Sequence, residues 1–120
     1  MPGARRRRDL GAAGERRAAV WYEARGYEVM ARNWRCREGE LDLVVRRDGV
    51  LVFCEVKARS GTGFGIPAEA VTAAKQARIR RLAARWLAEQ GGTLGRRPGI
   101  IRFDVAAVLG DELEVFEEAF

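Results

Sequence analysis

Between Glu40 and Arg59 apolar and charged residues first alternate and then fill both sides of the chain: ELDLVVRR, a DG pair, then VLVFCEVKAR. Alternation with period two marks a strand, and Asp48-Gly49 between two such runs marks a hairpin turn. Strands are therefore expected at Glu40–Arg47 and Val50–Arg59. In the second, Leu51 and Phe53 share one face while Val52, Cys54 and Val56 share the other. Its first half is apolar on both sides, as in a central strand. Upstream, Leu10–Arg25 is alanine-rich and helix-compatible, with Gly26 as its terminating residue. Tyr27–Trp34 carries the β-branched and aromatic content of a first strand. Downstream, Ile79, Leu82, Ala83, Trp86 and Leu87 follow the i, i+3, i+4, i+7, i+8 spacing of a buried helix face. That helix starts near Pro67 or at Thr72 as its N-cap, and runs to about Gln90. Ile100–Leu109 and Leu113–Phe116 complete the pattern around Gly110-Asp111. The expected order is αβββαββ: an α/β domain over residues 10–120 with a mixed β-sheet of about five strands flanked by helices. A flexible basic arm over residues 1–9 precedes it.

Charge interrupts this pattern at a few positions. Glu55 and Lys57 continue the face begun by Leu51 and Phe53, about 7 Å apart along the strand. Asp42 interrupts a run in which Leu41, Leu43 and Val45 are assigned to one face, and Glu40, Asp42 and Val44 to the other. Simple pairing around Asp48-Gly49 sets Asp42 opposite Glu55, with Cβ atoms about 4.5–5.5 Å apart. Two half-buried carboxylates that close need arginine partners, a proton or a cation, and Lys57 beside them favours a hard divalent ion. Glu15 has Gly11, Ala12, Ala18 and Ala19 as its helical neighbours, so it faces either the sheet at a close backbone approach or solvent. Lys75 and Gln76 extend the stripe of the second helix one turn back, and either look inward or snorkel to water.

Composition narrows the partners. No apolar run approaches the length of a membrane span, and the N-terminal MPGARRRRDLGAAG lacks the apolar core of a secretory signal. Two cysteines without metal-ligand spacing and the absence of His argue against structural zinc, and for reduced thiols in a cytoplasm. A net charge of +5 favours a polyanion. Of 22 basic residues only Lys57 and Lys75 are lysine. Where arginine serves almost everywhere, two compact ammonium groups stand out, because an ammonium acts as a small point charge beside a bound water. The loop Ser60–Pro67 lacks the glycine patterns of nucleotide-binding motifs. Its backbone amides suit either a phosphate or simple turns.

The set Asp42…Glu55-Val56-Lys57 resembles the PD-(D/E)XK nuclease signature, with Glu15 at the place of the acidic residue these enzymes often carry on their first helix. More narrowly, the run GELDLVVRRDGVLVFCEVKARS resembles the YraN-like family. So do Phe64-Gly65 with Pro67, Val71-Thr72 with Lys75-Gln76, Arg102-Phe103-Asp104-Val105, and the final Ala119-Phe120. These are small bacterial proteins described as predicted endonucleases, similar in fold to archaeal Holliday junction resolvases. Leu41 stands where the wider superfamily pattern has proline. The resemblance implies a restriction-endonuclease-like core and a metal-dependent endonuclease hydrolysing phosphodiester bonds in DNA, with branched or junction DNA as the substrate by analogy. In its terms Asp42, Glu55, Lys57 and Glu15 are catalytic. Asp42, Glu55, the carbonyl of Val56 and Glu15 hold one or two Mg2+ ions, with Mn2+ as substitute. Arg59, Lys75, Gln76 and the basic arm contact nucleic acid, and a homodimer would suit a four-way junction. The competing expectation is a non-catalytic nucleic-acid-binding or recombination/repair partner module on the same fold.

Overall fold

The computed structural model describes residues 2–59 and 71–120, with side chains described over 13–57, 71–108 and 110–120. The glycine-rich loop Ser60–Pro67 and the side chain of Arg59 lie outside the described residues. In order, the described elements are α1 (Pro2–Glu23), β1 (Glu28–Cys36), β2 (Gly39–Arg47), β3 (Val50–Arg59), α2 (Ala73–Gln90), β4 (Ile100–Leu109) and β5 (Glu112–Phe116). The sheet is five-stranded in the order β1-β2-β3-β4-β5. β3 and β4 are parallel, and the other neighbours are antiparallel. A parallel pair needs a crossover, and α2 lies in it.

Helix α1 starts at Pro2 rather than Leu10, so the stretch expected as an arm is helical backbone. Arginine is a strong helix former, and proline in a first turn lacks an N–H that had no partner anyway. The other end matches the sequence reading. Gly26 takes φ +87, its N–H bonds Glu23 O at 3.1 Å, and Tyr27 N–H bonds Tyr22 O at 3.0 Å. This is a Schellman cap, and its apolar contact is the edge-to-face pair of Tyr22 and Tyr27. Thr72 caps α2 as expected, its hydroxyl accepting from Lys75 N–H at 3.2 Å.

Each face of the sheet carries its own core. Leu51, Phe53, Phe103 and Val105 pack against Ile79, Leu82, Ala83 and Trp86 of α2. Val52, Cys54, Leu43, Val45 and Ala106 pack against Ala18, Ala19 and Tyr22 of α1. β3 is thus apolar on both faces over its first half, as a central strand requires. The backbones of α1 and the sheet approach closely at Gly14, where an added Cβ would stand 3.3 Å from Val56 and Val108 side chains.

One assignment is corrected. Leu41 and Leu43 were expected on one face, but Leu41 joins the α2 core and Leu43 the α1 core. The cause is local: the β1–β2 ladder pairs Arg32 with Leu43 and Trp34 with Leu41, and skips Asn33 and Asp42. Asn33 has φ +50, and this left-handed residue turns the strand over. The Asp42 side chain is thereby released from the regular alternation.

Gly39, which opens β2, has φ +148, and a Cβ there would lie 3.3 Å from Leu82 Cδ1 on α2. Only glycine enters this backbone region without strain. Gly39→Ala is expected to cost about 1–3 kcal/mol, measured by urea denaturation.

Candidate acid–lysine site

The β2–β3 ladder runs from Arg47↔Val50 to Leu43↔Cys54 and stops there. The register is the one that the Asp48-Gly49 turn predicts, but Asp42 and Glu55 are not a ladder pair. Asp42 instead turns its Oδ2 to the Val56 N–H, 2.8 Å away. The N–H and C=O of one strand residue point to the same side, so the Val56 carbonyl also faces this edge.

The opened end of the hairpin gathers acids from three elements. Glu15 of α1 and Glu40 and Asp42 of β2 each bring a carboxylate oxygen within 4.8 Å of the others. Glu55 of β3 is buried beside Asp42. Burial first, and the Glu55 charge second, push the Asp42 carboxyl up to about 8. Glu15 is also raised, chiefly by burial and further by Glu40 and Glu55, against a hydrogen bond from Asn33. Sequence reasoning had not enlisted Glu40. Its signal was its place on the same assigned face as Asp42.

Opposite the acids stand the lysines. Lys75 Nζ lies 2.7 Å from Glu55 Oε1. Lys57 and Lys75, the chain's two lysines, lie beside each other. The neighbouring Lys75 ammonium, and burial after it, hold Lys57 below the ordinary lysine value. Burial works against the charge on Lys75, but the Glu55 carboxylate raises it overall. The Gln76 amide donates to Val71 O at 3.0 Å, where it braces the start of α2. The fold therefore brings together Glu15, Asp42, Glu55, Val56, Lys57 and Lys75, and adds Glu40.

Crowded carboxylates titrate with a definite sign. In the absence of a cation the fold favours neutral Asp42, so this contribution to stability is full below the ordinary 3.8 and is lost as pH rises through about 8. The melting temperature of the metal-free protein should fall across that window, and Asp42→Asn should flatten the fall. Thermal denaturation in a chelator at several pH values checks it.

A five-stranded mixed sheet between two helices, with acids and lysines converging where two strands part, defines an α/β protein with a cluster of charged side chains on its sheet. Residues 14–108 match the model of Uncharacterised protein family UPF0102, and the chain belongs to that family. Its relatives include the UPF0102 protein of Beutenbergia cavernae, 58% identical over 100 residues that cover 83% of this chain and 81% of that one. The Frankia alni protein is 59% identical over 99 residues, covering 82% and 79%. The Acidothermus cellulolyticus protein is 46% identical over 125 residues, covering 95% of each. The matched span includes Glu15, Glu40, Asp42, Glu55, Lys57 and Lys75. Among the described residues no helix is long and apolar enough to cross a membrane.

Proposed function

We propose that this protein is a divalent-metal-dependent endonuclease of the PD-(D/E)XK type, on a restriction-endonuclease-like core, that hydrolyses phosphodiester bonds in DNA. The observation that carries the reading is the convergence of Glu15, Glu40, Asp42 and Glu55 with Lys57 and Lys75 at the parting of β2 and β3.

The donor set fits a hard cation. Oxygens around a Mg2+ at 2.0–2.1 Å lie about 3–4 Å from one another, and the Glu15, Glu40 and Asp42 oxygens lie within 4.8 Å of one another. Burial and the Glu55 charge raise the Asp42 carboxyl, and a cation among these acids would favour its ionised form. Asp42, Glu55 and Glu15, with the Val56 carbonyl and Glu40, would hold Mg2+ or Mn2+. When bound, the ion supplies an activated water and charge stabilisation at the phosphoryl oxygens. The chain's own contribution is positional. The Val56 N–H fixes the Asp42 carboxylate, and Lys57 orients the attacking water and offsets negative charge as it develops. Arg59 and the other arginines hold the phosphate backbone without reading bases, as the +5 net charge favours. Branched DNA is the substrate of first choice, and a two-copy assembly would offer one site to each of two strands.

The test is cleavage of branched, flap and linear duplex DNA by the purified chain in Mg2+ and Mn2+, against a chelator control. Metal-dependent cutting supports the enzyme. Tight, salt-sensitive binding without cutting in either metal supports the non-catalytic module instead. The logarithm of the binding constant is expected to fall linearly with the logarithm of salt concentration, measured by fluorescence anisotropy.

A further inference from the structure

We propose that this site takes a single divalent cation, and that the Lys75 ammonium stands on Glu55 in the place a second cation would occupy. The inference rests on the reading of these carboxylates as cation ligands and adds the number of ions and the role of Lys75.

The acids differ in what already neutralises them. Glu15, Glu40 and Asp42 have oxygens within 4.8 Å of one another, which leaves room for one ion among them. Glu55, beside Asp42, already meets one cation: its Oε1 is 2.7 Å from Lys75 Nζ, with the two side chains only 10% and 27% exposed. An ammonium placed there screens Glu55 as a cation would, but without an open coordination position.

The placement of Lys75 is built into the fold. Its backbone N–H is bonded to the capping Thr72 hydroxyl, the neighbouring Gln76 ties back to Val71 O, and Ile79 one turn on is buried in the core. The lysine thus leaves a pinned first turn of α2.

Charge counting gives the same answer. Glu15, Glu40, Asp42 and Glu55 contribute −4, Lys57 and Lys75 +2, and Arg35, which lies 3.4 Å from Glu40, +1, a total of −1. One divalent ion brings the site to +1, the complement of a single phosphodiester. Two would bring it to +3 and would set a metal against the Lys75 ammonium, a repulsion that is large at any realistic dielectric.

The experiment is a calorimetric titration of the full chain with Mn2+ alone, paired with electron paramagnetic resonance of the bound ion. The wild type is expected to bind one equivalent without a spin-coupled Mn2+ pair. Lys75→Met, which keeps the length of the stem and removes the charge, is expected to strengthen a second binding event by roughly tenfold or more. Lys75→Arg should retain the single equivalent. Two equivalents in the wild type, or a Lys75→Met chain indistinguishable from it, overturn the inference while leaving the metal site standing. Absence of Mn2+ binding by every variant, with circular dichroism showing each folded, overturns the proposed function and this inference together.

Discussion

Asp42→Ala and Glu55→Ala are each expected to lower metal-supported DNA cleavage on the order of 10²–10³-fold or more, while DNA binding survives or tightens. The two halves of this result have different causes. Each substitution removes an oxygen donor from a cation that must sit among several, and the chemistry falls with the loss of the ion or of its position. Each also removes a negative charge from a surface meant for a polyanion, which favours binding. Asp42→Asn separates charge from architecture, because its amide oxygen can still accept the Val56 N–H that fixes the wild-type side chain. If charge on Asp42 holds the cation, Asp42→Asn should lose cleavage as fully as Asp42→Ala. It should also melt at least as high as the parent at pH 8 without metal, where the parent begins to ionise a crowded acid. Rates from single-turnover cleavage and midpoints from thermal denaturation read these out. Parent-like cutting by both alanine variants would falsify the enzymatic reading.

Much of this arrangement was legible in the sequence. The Asp48-Gly49 turn pinned the β2–β3 register from Arg47↔Val50 to Leu43↔Cys54, because a two-residue connection leaves the strands little freedom to slip. The stripe from Ile79 to Trp86 located the buried face of α2, and Gly26 the end of α1. Legibility ended where a local backbone event overrode a period. Strict alternation put Leu41 with Leu43, and one left-handed residue on the neighbouring strand, Asn33, undid it. Nothing in β2 itself announces that switch. Lys57 met Lys75 through a contact between β3 and α2 that no short-range pattern encodes. That the chain's two lysines nonetheless meet at one point gives their scarcity a physical meaning: arginine serves wherever a broad, bidentate charge will do.

The second large effect is on stability and sits away from the acid–lysine site. Asp104→Ala is expected to destabilise the fold by about 3–5 kcal/mol, a large part of the whole for a domain of this size. Asp104 is fully buried on β4, and its carboxylate accepts from the Tyr22 hydroxyl, from Arg102 Nε and Nη2 at 2.8 and 2.9 Å, and from the Glu118 N–H at 3.1 Å. Those donors come from the end of α1, the same strand and the C-terminal segment. Removing the acceptor strands a largely buried guanidinium and a buried hydroxyl at once. Each unpaired group costs more than its bond contributed. Tyr22→Phe removes one donor and keeps the acid paired with Arg102, so it should cost roughly 1–2 kcal/mol. The C-terminal segment should loosen with the acid, because beside Glu118 the Ala119 N–H bonds Phe103 O and Phe120 stacks on Phe103. Equilibrium unfolding in urea measures the ranking, and hydrogen exchange at residues 118–120 localises it. An Asp104→Ala chain that unfolds at the parent's midpoint would mean that water reaches Arg102 and Tyr22 in the folded state. The carboxylate would then not be the tie between α1, β4 and the C-terminus.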